Sequence, residues 1–136
     1  MTAVSASIDL SIEPAAAWAA VTDWVGQAAW MPLTGVSVDS GDGGLGTRLS
    51  ARTGVGPLAF VDTMTIDVWD PPRRCEVAHH GRVVRGRGIF TVSSLPDGRS
   101  RVTWTEELEG VAARLTAPLS RPVLALALHR LARVAA

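Results

Sequence analysis

The sequence has no lysine, no asparagine and no tyrosine, and a single cysteine among 136 residues. All thirteen basic residues are therefore arginine. Alanine, arginine and glycine are rich together, which points to coding bias more than to functional design. The lone Cys75 excludes an internal disulfide, and without an oxidative framework the expected compartment is the reducing cytosol, that is, a cytoplasmic protein. The opening Met1-Thr2-Ala3-Val4-Ser5 has neither the basic nor the apolar region of a signal peptide. No apolar run approaches 18 residues, so no integral membrane association is expected. The nearest, Val123 to Leu128, is soon followed by His129-Arg130. Excess charge is missing too. Thirteen basic residues balance thirteen acidic ones, which argues against non-specific binding to nucleic acid or acidic membranes.

What is present is apolar. With 47% hydrophobic and 19% charged residues, disorder is excluded and one folded domain over 1–136 is expected, burying roughly two-thirds of its unfolded surface. Val4, Ala6, Ile8, Leu10 and Ile12 alternate with polar residues, the period of a strand with one buried face. Glu13-Pro14 opens an alanine-rich helix carrying Trp18, Val21 and Val25, and Gly26 interrupts it. A second short helical piece carries Trp30-Met31 before Pro32 stops it. From Val36 to about Gly110, short alternating runs are separated by turn signals. These are Gly41–Gly44, Gly54–Pro57, Asp70–Arg73, His80–Arg82 and Leu95–Gly98, the spacing of an antiparallel meander. From about Val111 the tail is helical, with Pro118 and Pro122 each able to begin or kink it. Val123, Leu124, Ala127, Leu128, Leu131, Val134 and Ala135 then share one broad face opposite His129, Arg130 and Arg133. Leu126 falls on the polar side. Strands grouped together with helices at the ends are the α+β signature, and a curled sheet is needed to cover so wide a helical face.

Three familiar patterns fail on context. Gly41-Asp42-Gly43-Gly44-Leu45-Gly46 fits a dinucleotide-binding loop letter for letter, but an alternating run follows where a helix is required, and no lysine follows as in a phosphate-binding loop. His79 and His80 point to opposite faces of a strand. Cys75 and His79 share a face but stand roughly 13 Å apart, too far for one zinc ion. No metal and no cofactor is expected. Trp18, Trp24 and Trp30 pack a helical corner against the sheet, or one or two of them wall a ligand cavity.

Strand register carries the site. Closing the last hairpin around Leu95–Arg99 pairs Val92 with Val102, Phe90 with Trp104, Gly88 with Glu106 and Gly86 with Leu108, while Arg87 meets Glu107 and Arg85 meets Glu109 on the other face. Extending through the earlier turns sets Glu76 beside Arg87, Cys75 beside Gly88, Val68 beside Cys75 and Met64 beside His79. The inner face then includes Phe60, Asp62, Met64, Ile66, Val68, Cys75, Val77, His79, Val84, Gly86, Gly88, Phe90, Val92, Val102, Trp104, Glu106 and Leu108. It is apolar apart from Asp62, His79 and Glu106. Gly86 and Gly88, with Cys75 and Val68 as small neighbours, leave a hollow before Glu106. A carboxylate there must be hydrated, paired or ligand-bound, and suits a hydrogen-bond donor or general acid. Alternatively Glu106 lies at the wet end of the sheet or pairs with a loop arginine, and His79 and Asp62 lie solvated at the rim.

The residues Pro14-Ala15-Ala16-Ala17-Trp18, Thr22-Asp23-Trp24, Trp30-Met31-Pro32, Gly44–Thr47, Val68-Trp69-Asp70-Pro71-Pro72-Arg73-Arg74 and Arg101–Glu107 resemble the START-type, pollen-allergen-like superfamily (SRPBCC). The nearest branch in resemblance is the polyketide cyclase/dehydrase and lipid-transport group. The likeness covers nearly the whole chain and rests on structural motifs. It implies a helix-grip fold, a seven-stranded antiparallel sheet around a long C-terminal helix with two short helices after the first strand. It also implies a cavity for a lipid, polyketide or other hydrophobic ligand. No catalytic set carries over residue by residue.

Three functions follow. The first is a hydrophobic small-molecule binding protein, walled by Met64, Val68, Phe90 and Trp104, with Asp62, Cys75, Gly86 and Gly88 beside them and Glu106 as the polar handle. The second is a cyclase/dehydrase-type enzyme with Glu106 or His79 as catalytic acid or base. The third is a protein-interaction module using the Leu126 face or a sheet edge, with a vestigial cavity. A monomer or weak homodimer is expected.

Overall fold

The computed structural model describes residues 2–81, 85–109 and 111–135, with 111–120 described by backbone alone. The first strand β1 (Thr2–Leu10) leads into helix α1 (Pro14–Val21) and a 3-10 turn (Val25–Ala29). Six strands follow: β2 (Thr34–Ser40), β3 (Arg48–Thr53), β4 (Phe60–Asp70), β5 (Arg74–His80), β6 (Arg85–Leu95) and β7 (Arg99–Leu108). The chain ends in helix α2 (Val111–Val134). The seven strands form one antiparallel sheet in the order β1-β7-β6-β5-β4-β3-β2, so the first strand pairs with the last. This is the expected α+β helix-grip architecture. Among the described residues, no helix is long and apolar enough to cross a membrane.

Alternation decides which face is inside. Leu49, Ala51, Asp62, Met64, Ile66, Cys75, Val77, His79, Phe90, Val92, Val102 and Trp104 are all buried on one side of the sheet. Leu124, Ala127, Leu128 and Leu131 of α2 join the same core. Val123, Leu126 and Val134 remain half exposed. The helix runs from Val111, upstream of both prolines. Trp30 meets Phe90 and Trp104 edge-on at 6.3 and 6.0 Å, tying the 3-10 corner to the sheet. The Gly41–Gly46 segment is the β2–β3 connection and leads into a strand.

The β6–β7 register is as expected at every pair, including Gly88 opposite Glu106 and Arg87 opposite Glu107. Two earlier registers need correction. Between β5 and β6 the pairing is displaced by two residues. Val77, not Cys75, lies opposite Gly88, Cys75 lies opposite Phe90, and Ala78, not Glu76, lies opposite Arg87. A shift of two preserves which face each side chain takes, so Glu76 still reaches Arg87 diagonally at 2.9 Å. Between β4 and β5, Met64 does face His79, but a bulge between Ile66 and Val68 puts one extra residue on β4. Beyond it the faces exchange. Val68 lies opposite Glu76, and Trp69 lies opposite Cys75 and packs on Trp18 at 5.1 Å. The inner-face expectation for Val84 falls outside the described residues.

The outer face carries much of the charge. Arg87 bonds Glu76 and Asp67, Arg74 bonds Glu76 and Arg101 bonds Asp9.

Candidate functional site

A pocket of about 410 Å³ lies between the inner sheet face, the 3-10 corner and α2. Trp24, Met31, Leu49, Phe90, Trp104 and Leu124 supply apolar wall, and Asp62, His79, Gly88 and Glu106 lie along the sheet side.

The three titratable residues come from three strands. Glu106 sits on β7, His79 on β5 and Asp62 on β4, with β6 running between Glu106 and His79. Two side chains on strands flanking a third are ordinarily separated by the middle strand's own side chain. Here that position is Gly88, opposite Glu106 on one side and Val77 on the other. A Cβ at Gly88 would stand 3.1 Å from Glu106 Oε1 and 3.2 Å from His79 Nε2. Its absence lets the two groups meet. His79 Nε2 lies 3.0 Å from Glu106 Oε2, and Nδ1 lies 2.7 Å from Asp62 Oδ2. Trp104 Nε1–H donates to Glu106 Oε1 at 2.9 Å. The result is a line, Asp62–His79–Glu106–Trp104, along the inner face.

Asp62 and His79 are only 6% and 9% exposed. They do not lie solvated at the rim, and the carboxylate partner expected for a loop arginine is taken by the imidazole. Burial opposes a charge on His79, but hydrogen bonds from Asp62 and Glu106 and their negative charges outweigh it, raising the imidazolium from 6.5 to about 10. At neutral pH the ring is a cation and donates from both nitrogens. Both oxygens of Glu106 therefore accept, so the site offers an acceptor where a donor was expected. Asp62 Oδ1 is buried without a partner. The two carboxylates bind opposite edges of the ring, so the three residues do not converge on one point as metal ligands would.

Of the residues singled out by sequence, Asp62, Met64, His79, Gly88, Phe90, Trp104 and Glu106 line the pocket together. Three do not. Val68 is turned away by the β4 bulge. Cys75 is wholly buried beneath the pocket, its thiol pushed up to about 12 by burial and then by Glu76 and Asp67. Gly86 has φ +132°, and a Cβ there would lie 1.9 Å from the Glu107 carbonyl oxygen, so it accommodates the neighbouring backbone. Leu49, Ala51 and Val36 were missed as wall residues. Their alternation on β2 and β3 was the available signal. Of the three tryptophans, Trp24 is a wall residue, held by Nε1–H to the Gly43 carbonyl at 2.9 Å.

Gly88→Ala tests the crossing. Its φ is ordinary, so the cost comes from contact alone. We expect a loss of about 1–3 kcal/mol, the scale of a strained or broken buried charged hydrogen bond, read from urea midpoints at pH 7. An unchanged midpoint would mean that the Glu106–His79 bond does not depend on the missing side chain.

A family model described as polyketide cyclase / dehydrase and lipid transport matches residues 1–136. No curated protein sequence matches the chain. Several solved structures are similar in fold. The Mesorhizobium loti protein MLL2253 superposes with TM-score 0.76 at 13% identity, covering 97% of this chain and 95% of that one. A Thermobifida fusca protein solved by NMR gives 0.77 at 17% identity, covering 99% and 93%. The di-domain ARO/CYC protein BexL of the BE-7585A biosynthetic pathway gives 0.73 at 15% identity, covering 96% of this chain and 46% of that one.

Proposed function

The chain belongs to the polyketide cyclase / dehydrase and lipid transport family, and from that premise we propose that it binds a hydrophobic small molecule in the sheet–helix pocket, with Asp62, His79 and Glu106 as its polar end. One observation carries this reading: a buried charged line opens onto an otherwise apolar hollow. A core built for stability alone is as well or better filled by apolar side chains. A pocket of about 410 Å³ falls within the range of roughly 300–1,000 Å³ typical of small-molecule sites. It also weighs against a vestigial cavity. Cytosolic location and a single domain over the whole length belong to the same proposal.

A second reading is favoured by the line itself. In a cyclase or dehydrase role, the Glu106 carboxylate takes a proton from a carbon next to a substrate carbonyl. The C–H bond breaks, an O–H bond forms on Glu106, and the electron pair moves to the carbonyl oxygen as an enolate. His79 and Trp104 hold Glu106 in place for that step.

Glu106→Gln separates the two. Native mass spectrometry of the protein from its own host identifies the co-purified ligand, which is then offered to both forms. A binding protein yields no product from either. An enzyme loses about 100- to 10,000-fold in turnover while affinity changes only a few-fold. Failure to retain any apolar ligand in either form would overturn both readings.

A further inference from the structure

The polar atoms of the pocket are unequally used. Its donors are nearly all committed within the protein. Trp24 gives its N–H to Gly43, Thr34 its hydroxyl to Pro32, and Trp104 its N–H to Glu106. Both imidazolium N–H groups go to carboxylates, and an N–H of Gln27 goes to the Val21 carbonyl. What stays open is acceptor. Asp62 lines the pocket and is more than nine-tenths buried, and its Oδ1 has no partner. A buried carboxylate oxygen left bare is costly, and the cost is relieved by a donor that reaches it.

Charge points the same way. The polar end holds two carboxylates around one imidazole, and no arginine is among the described residues that line the pocket. An entering carboxylate or phosphate would meet like charge in a medium that screens poorly. An ammonium would avoid that repulsion but bring three N–H groups to one unpartnered oxygen. A hydroxyl brings one donor, and the count matches.

We propose that the pocket takes a neutral ligand that enters with an alcohol or phenol, donates its O–H to Asp62 Oδ1, and is refused when the same hydrocarbon body carries a carboxylate. This rests on the binding role proposed above and narrows it to a ligand class. Fatty acids and phospholipids are then poor ligands despite their apolar bodies, while hydroxylated aromatic or alkyl compounds fit.

Two matched series test it by calorimetry at pH 7. One is 2-methylnaphthalene, 2-naphthol and 2-naphthoate; the other is dodecane, dodecanol and dodecanoate, with dodecylammonium added. We expect each hydroxyl compound to bind about tenfold or more tighter than its hydrocarbon, the scale of a hydrogen bond to a charged acceptor, and each carboxylate to bind more weakly than the hydrocarbon. Asp62→Asn, checked for folding by circular dichroism, should shrink both differences. Hydrocarbons that bind as tightly as the hydroxyl compounds would overturn the donor assignment and leave the binding role standing. A carboxylate or ammonium that outranks its alcohol would overturn the choice of a neutral head group. If no member of either series binds the wild-type protein, the binding role itself falls, and this inference with it. The wild-type ranking decides the matter even if Asp62→Asn does not fold.

Discussion

Replacing His79 with leucine destabilises the fold by about 3–5 kcal/mol at pH 7, the loss expected when one member of a buried charge cluster is removed. The imidazolium stands between Asp62 and Glu106 at 2.7 and 3.0 Å. Leucine fills similar space but leaves two carboxylates buried without their cation. Combining His79→Leu with Asp62→Asn and Glu106→Gln should recover much of the loss, because the uncompensated charge has gone. Urea unfolding followed by tryptophan emission reads each variant. A loss below about 1 kcal/mol, the scale of an exposed ion pair, would show that the ring carries no buried charge.

The same ring sets a pH profile. Burial opposes its charge while Asp62 and Glu106 favour it, so the folded protein holds the proton up to about pH 10 against 6.5 for the free side chain. A raised folded value means that the stabilisation is complete below pH 6.5 and is lost as pH climbs towards 10. Its upper limit is ~5 kcal/mol. No lysine or tyrosine titrates in that interval, because the chain has none. Cys75 adds a fall of the same sign only above its ordinary value of 9.0, since its folded thiol is raised to about 12. The decline between pH 6.5 and 9 therefore belongs chiefly to His79, and it should flatten in His79→Leu.

Trp30→Ala is the second large effect, about 3–5 kcal/mol for emptying a buried aromatic site. Trp30 is 2% exposed and touches Phe90 and Trp104 with its edge. These two rings are themselves pocket wall, so the variant should also weaken ligand binding without touching a pocket atom. Trp30→Phe keeps an aromatic edge there and should recover about half of the stability. Equal losses in the two variants would mean that the indole's full size, and not its aromatic contact, holds the corner.

How far the sequence foretold the site depended on turns. The Leu95–Arg99 hairpin was short, and alternation on both of its faces fixed one register, so Gly88 and Glu106 were correctly opposed. The β5–β6 connection carried no such constraint. Its two-residue displacement kept every side chain on the right face but hid that His79 approaches Gly88. The β4 bulge was illegible because one extra residue leaves no mark in composition, yet it exchanged Val68 for Trp69 on the inner side. The architecture was plain from periodicity, whereas the Asp62–His79–Glu106 line required three registers to be right together. Gly88 was singled out as space for a ligand; what occupies that space is a bond between its neighbours' side chains.

The pairing of β1 with β7 has a consequence for biosynthesis. The first strand to leave the ribosome finds its only ladder partner in a segment made near the end, about a hundred residues later. Contacts so distant along the chain are slow to form. Until then the apolar side of β1 has no sheet beside it, and α2, which packs on β1, is later still. Closure of the sheet is thus a post-translational event, and the nascent chain spends its synthesis with an uncovered strand edge, the kind of surface that chaperones shield.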